Sequence, residues 1–188
     1  LDNIDVQYAK DNGIEVKNTP KSPSESVAEL AMAHMFSCAR YISIAGHSMR
    51  EGKWEKKAYG KGVELGGKTL GVIGYGRIGQ ALGRMAQGLG MNVVAYDIYH
   101  VEGIECETMH YVTMDELLAQ SDVVSLHCPQ TAENARMIDA GALAQMKDGA
   151  ILLNTARGGL LDEQAVADAL RSGKLLAAGM DVVSAEPI

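Results

Sequence analysis

Short apolar runs alternate with helical stretches from Thr69 onward, and this alternation restricts the possible folds more than any other feature of the sequence. The apolar runs lie at about 69–74, 92–97, 122–127, 150–154 and 176–183, with helical patterns at about 77–89, 114–120, 139–146 and 162–172. Strands without polar alternation are buried on both faces, and the helices between them cover those faces. The pattern therefore predicts an α/β fold built on a doubly wound parallel sheet.

Polar, glycine or proline residues stand at the carboxyl end of each predicted strand. In strand order they are Gly74–Gly79, Asp97, His127–Pro129, Asn154–Arg157 and Asp181. Ligands of doubly wound sheets bind outside the carboxyl ends of the strands, where the strand order reverses. These residues predict a binding crevice along one edge of the sheet, and we interpret Arg157 as facing it. A surface arginine on an ordinary turn is the alternative.

Gly74, Gly76 and Gly79 form a G-x-G-x-x-G pattern between the first strand and its helix. The first glycine permits a tight turn, the second lets a pyrophosphate approach the backbone, and the third allows close helix–strand packing. Asp97, at the end of the next strand, is placed to bind a ribose 2′-hydroxyl and would repel a 2′-phosphate. No arginine follows at 98–100, so NAD is predicted rather than NADP. An ordinary strand–helix turn is the alternative for the glycines.

Composition and charge limit the partners. The 188 residues suffice for one α/β domain, or one domain plus a fragment, and the net charge of −7 argues against nucleic acid or anionic lipid as a partner. The three cysteines are odd in number and widely spaced, which is typical of a reducing cytoplasm. No apolar run has membrane-spanning length, and no membrane partner is expected. Cys106 and His110, with His100 upstream, are too few for a closed metal site, so no metal is predicted.

The first fifty residues differ from the rest. Residues 1–20 are interpreted as the end of a second domain and its hinge, with a helix that stops at Gly13 and a short strand at 14–18. A helix at about 23–50 is apolar nearly all round, which predicts burial inside the fold or against another subunit. Residues 21–188, including this helix, are expected to form one domain. Because the chain begins without Met and in the middle of a pattern, we expect it to be a piece of a longer protein.

Four segments, 13–35, 67–97, 121–138 and 152–187, together resemble the NAD-binding domain of the D-isomer-specific 2-hydroxyacid dehydrogenases. Within that family the resemblance is nearest to D-3-phosphoglycerate dehydrogenase and the glycerate/hydroxypyruvate reductases. It implies a Rossmann-type domain, a remnant of a substrate domain at the amino end, and NAD as cofactor. It also implies a small D-2-hydroxy acid or 2-oxo acid as substrate, and a homodimer formed through the long helix.

The resemblance assigns roles to individual residues. It implies that Arg77 and Ile78 lie at the pyrophosphate and Asp97 at the adenosine ribose. Other cofactor positions are Thr155, Ala156, Arg157 and Asp181 near the nicotinamide, Cys128 and Pro129 in a flanking loop, and Thr19 on the hinge side.

Two of the implied residues are catalytic. Arg157 would hold the 2-oxo acid with its forked donors, and Glu186 would support a catalytic histidine. Without the resemblance, Glu186 before Pro187 would be a plain loop carboxylate. The family's histidine follows the glutamate by a couple of dozen residues, beyond Ile188. We therefore expect this chain to bind NAD without turning over substrate.

The five histidines of the chain are poor substitutes for that histidine. Two belong to the long helix, two to a variable stretch, and the last is a strand-end residue contributing mainly its backbone: His34, His47, His100, His110 and His127. A non-enzymatic, NAD-responsive corepressor of the same fold is the alternative function. A histidine further downstream in the gene would favour the enzyme, and a long tail with a docking cleft would favour the corepressor.

Overall fold

Six parallel strands form one sheet in the order β3-β2-β1-β4-β5-β6 in a computed structural model, which describes residues 4–19 and 24–185. The strands are β1 (Thr69–Ile73), β2 (Asn92–Tyr96), β3 (Met109–Tyr111), β4 (Val123–Leu126), β5 (Ala150–Asn154) and β6 (Leu175–Met180). The strand order reverses between β1 and β4, which are neighbours in register from Leu70–Val123 to Ile73–Leu126. The predicted doubly wound parallel sheet is confirmed.

The described residues also form seven α-helices. They are α1 (Val6–Asp11), α2 (Ser24–Arg40), α3 (Ile42–Arg50), α4 (Arg77–Gly88), α5 (Met114–Gln120), α6 (Ala140–Gln145) and α7 (Glu163–Ser172). One apolar core joins α2 and α4 to one face, and a second joins α5, α6 and α7 to the other. Successive strand residues divide between them: Val72 belongs to the first core and Ile73 to the second.

Side-chain caps set the start of four of these helices, including α1, where the Asp5 side chain accepts from Tyr8 N. Thr113 and Glu116 form a reciprocal capping box at α5, and Asp139 and Asp162 accept backbone N–H bonds at the starts of α6 and α7. Each cap satisfies a backbone N–H group that the helix itself leaves without a partner. The helix starts therefore follow from local sequence.

Strand β3 was not predicted. It has three residues and pairs with β2 from Val93–Met109 to Ala95–Tyr111. A run this short has no periodic signal of its own, and it becomes a strand only because the edge of β2 supplies hydrogen-bond partners.

The predicted strand at 14–18 is wrong. These residues form an irregular segment, and Ile14 is 55% exposed. A strand needs a paired neighbour for its backbone groups, and no strand among the described residues pairs with this segment. The predicted end of the last strand at 183 is also too late, because β6 ends at Met180.

The prediction of one continuous helix over 23–50 is wrong as well. Tyr41 adopts a left-handed conformation with φ 57° and divides the segment into α2 and α3. Helix α2 buries one stripe of mostly small side chains, namely Ala28, Ala31, Met35 and Ala39. Helix α3 instead leaves Ile42, Ile44 and Met49 more than half exposed in this chain. Within the described ranges, no helix is long and apolar enough to cross a membrane.

Candidate functional site

The glycine loop connects β1 to α4 at the point where the strand order reverses. Gly74 has φ 92°, a conformation that L side chains rarely adopt. A Cβ at Gly74 would lie 2.5 Å from the backbone nitrogen of Cys128, directly after β4. The loops that follow β1 and β4 therefore touch, as the predicted crevice requires.

The other two glycines of the pattern differ in their surroundings. A Cβ at Gly79 would collide with the carbonyl oxygen of Gly74, so this glycine allows α4 to pack closely on the loop. A Cβ at Gly76 would meet nothing within 4 Å. Gly76 is also the N-cap of the twelve-residue helix α4, with no side chain bonded to its first N–H groups. Open space in front of a helix N-terminus suits a pyrophosphate.

Asp97 is held next to this loop by backbone donors. Its Oδ2 accepts a hydrogen bond of 2.7 Å from Tyr75 N, and its Oδ1 accepts one of 3.0 Å from Tyr99 N. Gln80 Nε2 donates to Tyr75 O at 3.0 Å and ties α4 to the same loop. The carboxylate at the end of β2 is thus fixed against the glycine loop, where an adenosine ribose would need it.

The Tyr75 side chain packs between the glycine loop, α4 and β3, and it was not predicted as part of the site. Its side chain is buried, and burial raises its pKa to about 12. The ring meets Tyr111 of β3 edge-on at 5.9 Å, and its hydroxyl lies against Gly83 of α4. An aromatic residue between two loop glycines was the available sequence signal, but its contacts depend on β3, which was not predicted.

The end of β4 contains a hydrogen-bonded pair that sequence reasoning missed. Ser125 Oγ and His127 Nε2 are 2.8 Å apart, which the i, i+2 spacing on one face of a strand makes possible. The His127 backbone donates to Ile73 O at 2.7 Å, so both backbone and side chain are engaged. Burial lowers the pKa of His127 to about 4, and its Nδ1 is buried without a partner. Burial also raises the pKa of the adjacent Cys128 thiol.

The turn after β5 is organised by Asn154, which is fully buried. Its Oδ1 accepts from Ala156 N at 3.0 Å, and its Nδ2 donates to Arg157 O at 2.9 Å. Arg157 is exposed, and its guanidinium donates to Ala156 O at 2.7 Å. Thr155 is partly exposed, but its Oγ1 is buried without a partner. Asn154, which was predicted to lie at the crevice but was given no role of its own, therefore fixes the backbone that carries Arg157.

The segment after β6 lies against the same turn. Asp181 is exposed, and its backbone N–H donates to Asn154 O at 3.0 Å. Gly158 packs so closely on Val183 and Ser184 that a Cβ there would overlap their backbone. Glu163 accepts bonds of 2.6 and 2.8 Å from Ser184 and holds this segment on α7, which lowers the pKa of that carboxyl. Glu186 lies outside the described residues.

The remaining predicted cofactor residues lie next to the glycine loop, next to Cys128, or in the hinge segment. Arg77 and Ile78 are in the first turn of α4, and Pro129 is exposed directly after Cys128. Thr19 is exposed in an irregular segment, and its approach to the cofactor stays a prediction. The structure thus brings the glycine loop, Asp97 and Cys128 together, and separately the Thr155–Arg157 turn with Asp181.

The four histidines outside the cofactor edge of the sheet each contact another residue of the chain. His34 packs over Gly179, His47 pairs with Glu51 at 3.1 Å, His100 stacks on Tyr111, and His110 bonds Glu107 O. Within residues 4–19 and 24–185, no group of three or more His, Cys, Asp or Glu side chains could hold a metal ion.

Comparison with known proteins identifies this arrangement. A family described as "D-isomer specific 2-hydroxyacid dehydrogenase, NAD binding domain" matches residues 32–188. The chain belongs to this family. It carries the NAD-binding domain, and the open helix N-terminus at Gly76 and the oriented Asp97 carboxylate fit that cofactor.

The relatives extend beyond this chain. A hydroxypyruvate reductase of Thermotoga maritima is 51% identical over 187 residues, which is all of this chain and 60% of the relative. A D-3-phosphoglycerate dehydrogenase of Archaeoglobus fulgidus is 45% identical over all of this chain and 36% of its own length. The apo structure of D-lactate dehydrogenase from Escherichia coli superposes with a TM-score of 0.89 at 38% identity, over 97% of this chain and 57% of that one.

Proposed function

We propose that this chain is the cofactor domain of an enzyme that transfers hydride between NAD(H) and a small D-2-hydroxy acid or its 2-oxo acid. The phosphoglycerate and glycerate/hydroxypyruvate classes fit best. The observation that carries the proposal is an exposed arginine, presented by the buried Asn154, on the same sheet edge as the glycine loop. The names of the matched relatives support an enzyme over a corepressor.

Arg157 is the proposed substrate-binding residue. The Asn154 side chain holds the Arg157 carbonyl at 2.9 Å and so fixes the backbone from which the guanidinium extends. A guanidinium can bind both oxygens of a carboxylate, or one carboxylate oxygen and the 2-oxo oxygen, with parallel N–H donors. Arg157 would thereby hold the acid and polarise the carbonyl that receives hydride.

Glu186 is the proposed partner of a catalytic histidine in the part of the relatives that this chain does not cover. A carboxylate beside an imidazole favours the imidazolium and orients its ring. That imidazolium gives its proton to the carbonyl oxygen during reduction and recovers it during oxidation. NADH, when bound, supplies the hydride. The described segment 181–185, held by Glu163, leads directly to Glu186.

The chain by itself is expected to bind NADH without turning over 2-oxo acids. His34, His47, His100 and His110 have structural contacts on helices or on the β3 side, and His127 is half-buried with a pKa lowered to about 4, which keeps it neutral near neutral pH. A proton donor for the carbonyl would have to be charged near neutral pH and open to substrate. Four of the five histidines lie outside the cofactor edge, and the fifth, His127, is neutral near neutral pH.

Titration with NADH and, in parallel, with NADPH tests the cofactor part of the proposal. We expect NADH to bind with NADPH much weaker, because Asp97 repels a 2′-phosphate. Asp97→Ala should reduce the preference for NADH by weakening NADH binding and relieving that repulsion. Equal binding of both cofactors by the natural chain, or no binding of either, would contradict the assignment of the glycine loop and Asp97. Turnover of hydroxypyruvate by this chain alone would contradict the proposed role of a histidine in the part of the relatives that this chain does not cover.

A homodimer through α3 is part of the same proposal. Ile42 and Ile44 are 58% and 54% exposed, and Trp54 shortly after the helix is 76% exposed. Large apolar side chains left exposed on a folded chain suit contact with a second copy. We place the protein in the cytoplasm, since its three cysteines are free. The division between a substrate-domain remnant at 1–20 and the cofactor domain at 21–188 also stays a proposal.

A further inference from the structure

Two buried side-chain atoms in the described ranges lack any hydrogen-bond partner, and both lie at the proposed cofactor edge. They are His127 Nδ1 and Thr155 Oγ1. Their residues follow the paired positions Leu126 and Asn154 on the neighbouring strands β4 and β5. Strand alternation puts Thr155 on the same face as Leu153, and His127 on that of Ser125 and Val123. Leu153 and Val123 share one core, so the two orphan atoms belong to one face of the sheet.

The bond to Ser125 indicates which His127 nitrogen carries the proton. If the Ser125 hydroxyl donates to Nε2, only the Nδ1–H donor remains without a partner. If Nε2–H donates to Ser125 Oγ instead, the serine hydrogen is left without an acceptor as well, since His127 is the partner found for this fully buried hydroxyl. The first arrangement leaves one buried polar group without a partner and the second leaves two, the serine hydrogen and the Nδ1 acceptor. Because each such group is costly, the first arrangement is favoured. His127 then has an unpaired N–H group on the face of the sheet that it shares with Thr155.

The imidazole is suited to this role because it stays neutral. Burial lowers the pKa of His127 to about 4, so a proton on Nδ1 leaves Nε2 as an acceptor throughout the neutral range. The sequence around it supplies no carboxylate partner on β4: the flanking residues are Leu126 and Cys128, and the facing hydroxyl is Ser125. A fixed, uncharged donor is the result.

We propose that Ser125, His127 and Thr155 form a hydrogen-bond relay that ends on an oxygen of the nicotinamide riboside half of the bound dinucleotide. In this relay the Ser125 hydroxyl donates to His127 Nε2, and His127 Nδ1–H donates to Thr155 Oγ1. The Thr155 hydroxyl donates in turn to a ribose or carboxamide oxygen of the ligand. His127 is a positioning residue that acts through Thr155. The inference rests on the proposed function, because it takes NAD(H) as the ligand.

Only Thr155 has to reach the ligand. The residue as a whole is partly exposed, while its Oγ1 is buried. A rotation about one side-chain bond changes which atom of Thr155 faces the crevice, and it needs no movement of the backbone held by Asn154. The relay would therefore be incomplete without ligand and complete with it.

Thr155→Val tests the relay because it should not destabilise the free protein but should weaken its complex with NADH. Valine keeps the shape and removes a hydroxyl that has no partner, so the melting temperature of the free protein should be unchanged or higher. The NADH dissociation constant should rise about fivefold or more, because a hydrogen bond is lost in the complex. A clear fall in the melting temperature of free Thr155→Val would overturn the inference, since Oγ1 would then already have a partner.

Thr113→Val is the matched control. It makes the same chemical change at a hydroxyl that accepts from Glu116 N in the capping box of α5. Its melting temperature should fall by about 2–4 °C, as expected for losing a cap in a chain of this size, with no change in the NADH dissociation constant. This contrast separates a hydroxyl used in the free protein from one used only in the complex.

Two substitutions of His127 test the relay itself. Glutamine can put its amide near the position of Nε2 and keeps the bond to Ser125, whereas asparagine can put its amide near Nδ1. His127→Gln should weaken NADH binding about fivefold, and His127→Asn should restore much of it. Combining His127→Gln with Thr155→Val should add little to Thr155→Val alone. Fully additive losses would show that His127 does not act through Thr155.

Shorter ligands separate failure of this inference from failure of the proposed function. ADP lacks the nicotinamide riboside, so Thr155→Val and the natural protein should bind it equally. Loss of ADP-ribose binding in the variant would identify a ribose hydroxyl as the ligand oxygen, and retained binding would identify the carboxamide. If the natural protein does not bind NADH, the proposed function fails. If it binds NADH and both Thr155→Val and His127→Gln bind equally well, only the relay fails.

Discussion

Gly76 and Gly79 are three residues apart in one glycine pattern, but they have different physical reasons for lacking a side chain. Gly79→Ala should lower the free energy of unfolding by about 1–3 kcal/mol, because its Cβ collides with the Gly74 carbonyl. Gly76→Ala should leave stability nearly unchanged, since its φ of −74° is ordinary and its surroundings are open, yet weaken NADH at least about tenfold by entering the pyrophosphate space. Urea unfolding and NADH titration of both variants check this. Similar effects of the two alanines on stability would contradict it.

His127 makes a separate prediction at the residue scale. Its pKa is about 4 in the folded chain and near 6.5 when unfolded, so the unfolded chain takes up a proton that the folded chain excludes. Stability should therefore fall as pH is lowered from about 6.5 towards 4, by at most about 3 kcal/mol from this group. His127→Gln should lose this part of the pH dependence, measured as the difference between the two proteins in urea unfolding at several pH values. Identical pH profiles would show that His127 is not a buried neutral imidazole.

At the scale of elements, the turn between β5 and the following 3-10 turn at Gly158–Leu160 depends on one side chain. Asn154→Ala removes hydrogen bonds to Ala156 N and Arg157 O and leaves both backbone groups without that partner. We expect a loss of about 2–3 kcal/mol in the free energy of unfolding, together with weaker NADH binding, because Thr155–Arg157 would lose their geometry.

Asn154→Asp provides the comparison for that turn. Aspartate keeps an acceptor for Ala156 N but replaces the donor to Arg157 O with a second oxygen. It should therefore be destabilising as well, which urea unfolding and NADH titration would measure. Natural stability in both variants would mean that the turn is determined by backbone packing, such as the contact of Gly158 with Val183.

At the scale of the whole molecule, the proposed dimer depends on the exposed apolar side chains of α3. Ile42→Glu should convert a dimer into a monomer with little loss of stability in the monomer, because Ile42 is 58% exposed. Ile14→Glu is the control, since Ile14 is 55% exposed but lies far along the chain from α3. Light scattering coupled to size exclusion would measure both masses. A monomeric natural protein, or an unchanged dimer in Ile42→Glu, would contradict the proposed interface.

Local sequence was sufficient for much of the cofactor edge. The strand at Ala150–Asn154 and the helix at Met114–Gln120 have the predicted bounds, because a buried apolar run and a capping box are signals contained within a few residues. The glycine pattern and Asp97 also lie where predicted, since loop glycines and a strand-end carboxylate report on the backbone next to them. Family membership followed from the same segments.

The sequence by itself thus determined the fold class, the family and its cofactor, while the edge at which the cofactor binds stays a prediction. Tertiary structure decided what depends on partners distant in the chain. The segment 14–18 is not a strand because no neighbour pairs with it, and 109–111 is one because β2 does. Whether His127 and Thr155 have hydrogen-bond partners depends on how β4 and β5 lie side by side. Hydrogen bonds and burial between elements are set by three-dimensional packing, which no local pattern contains.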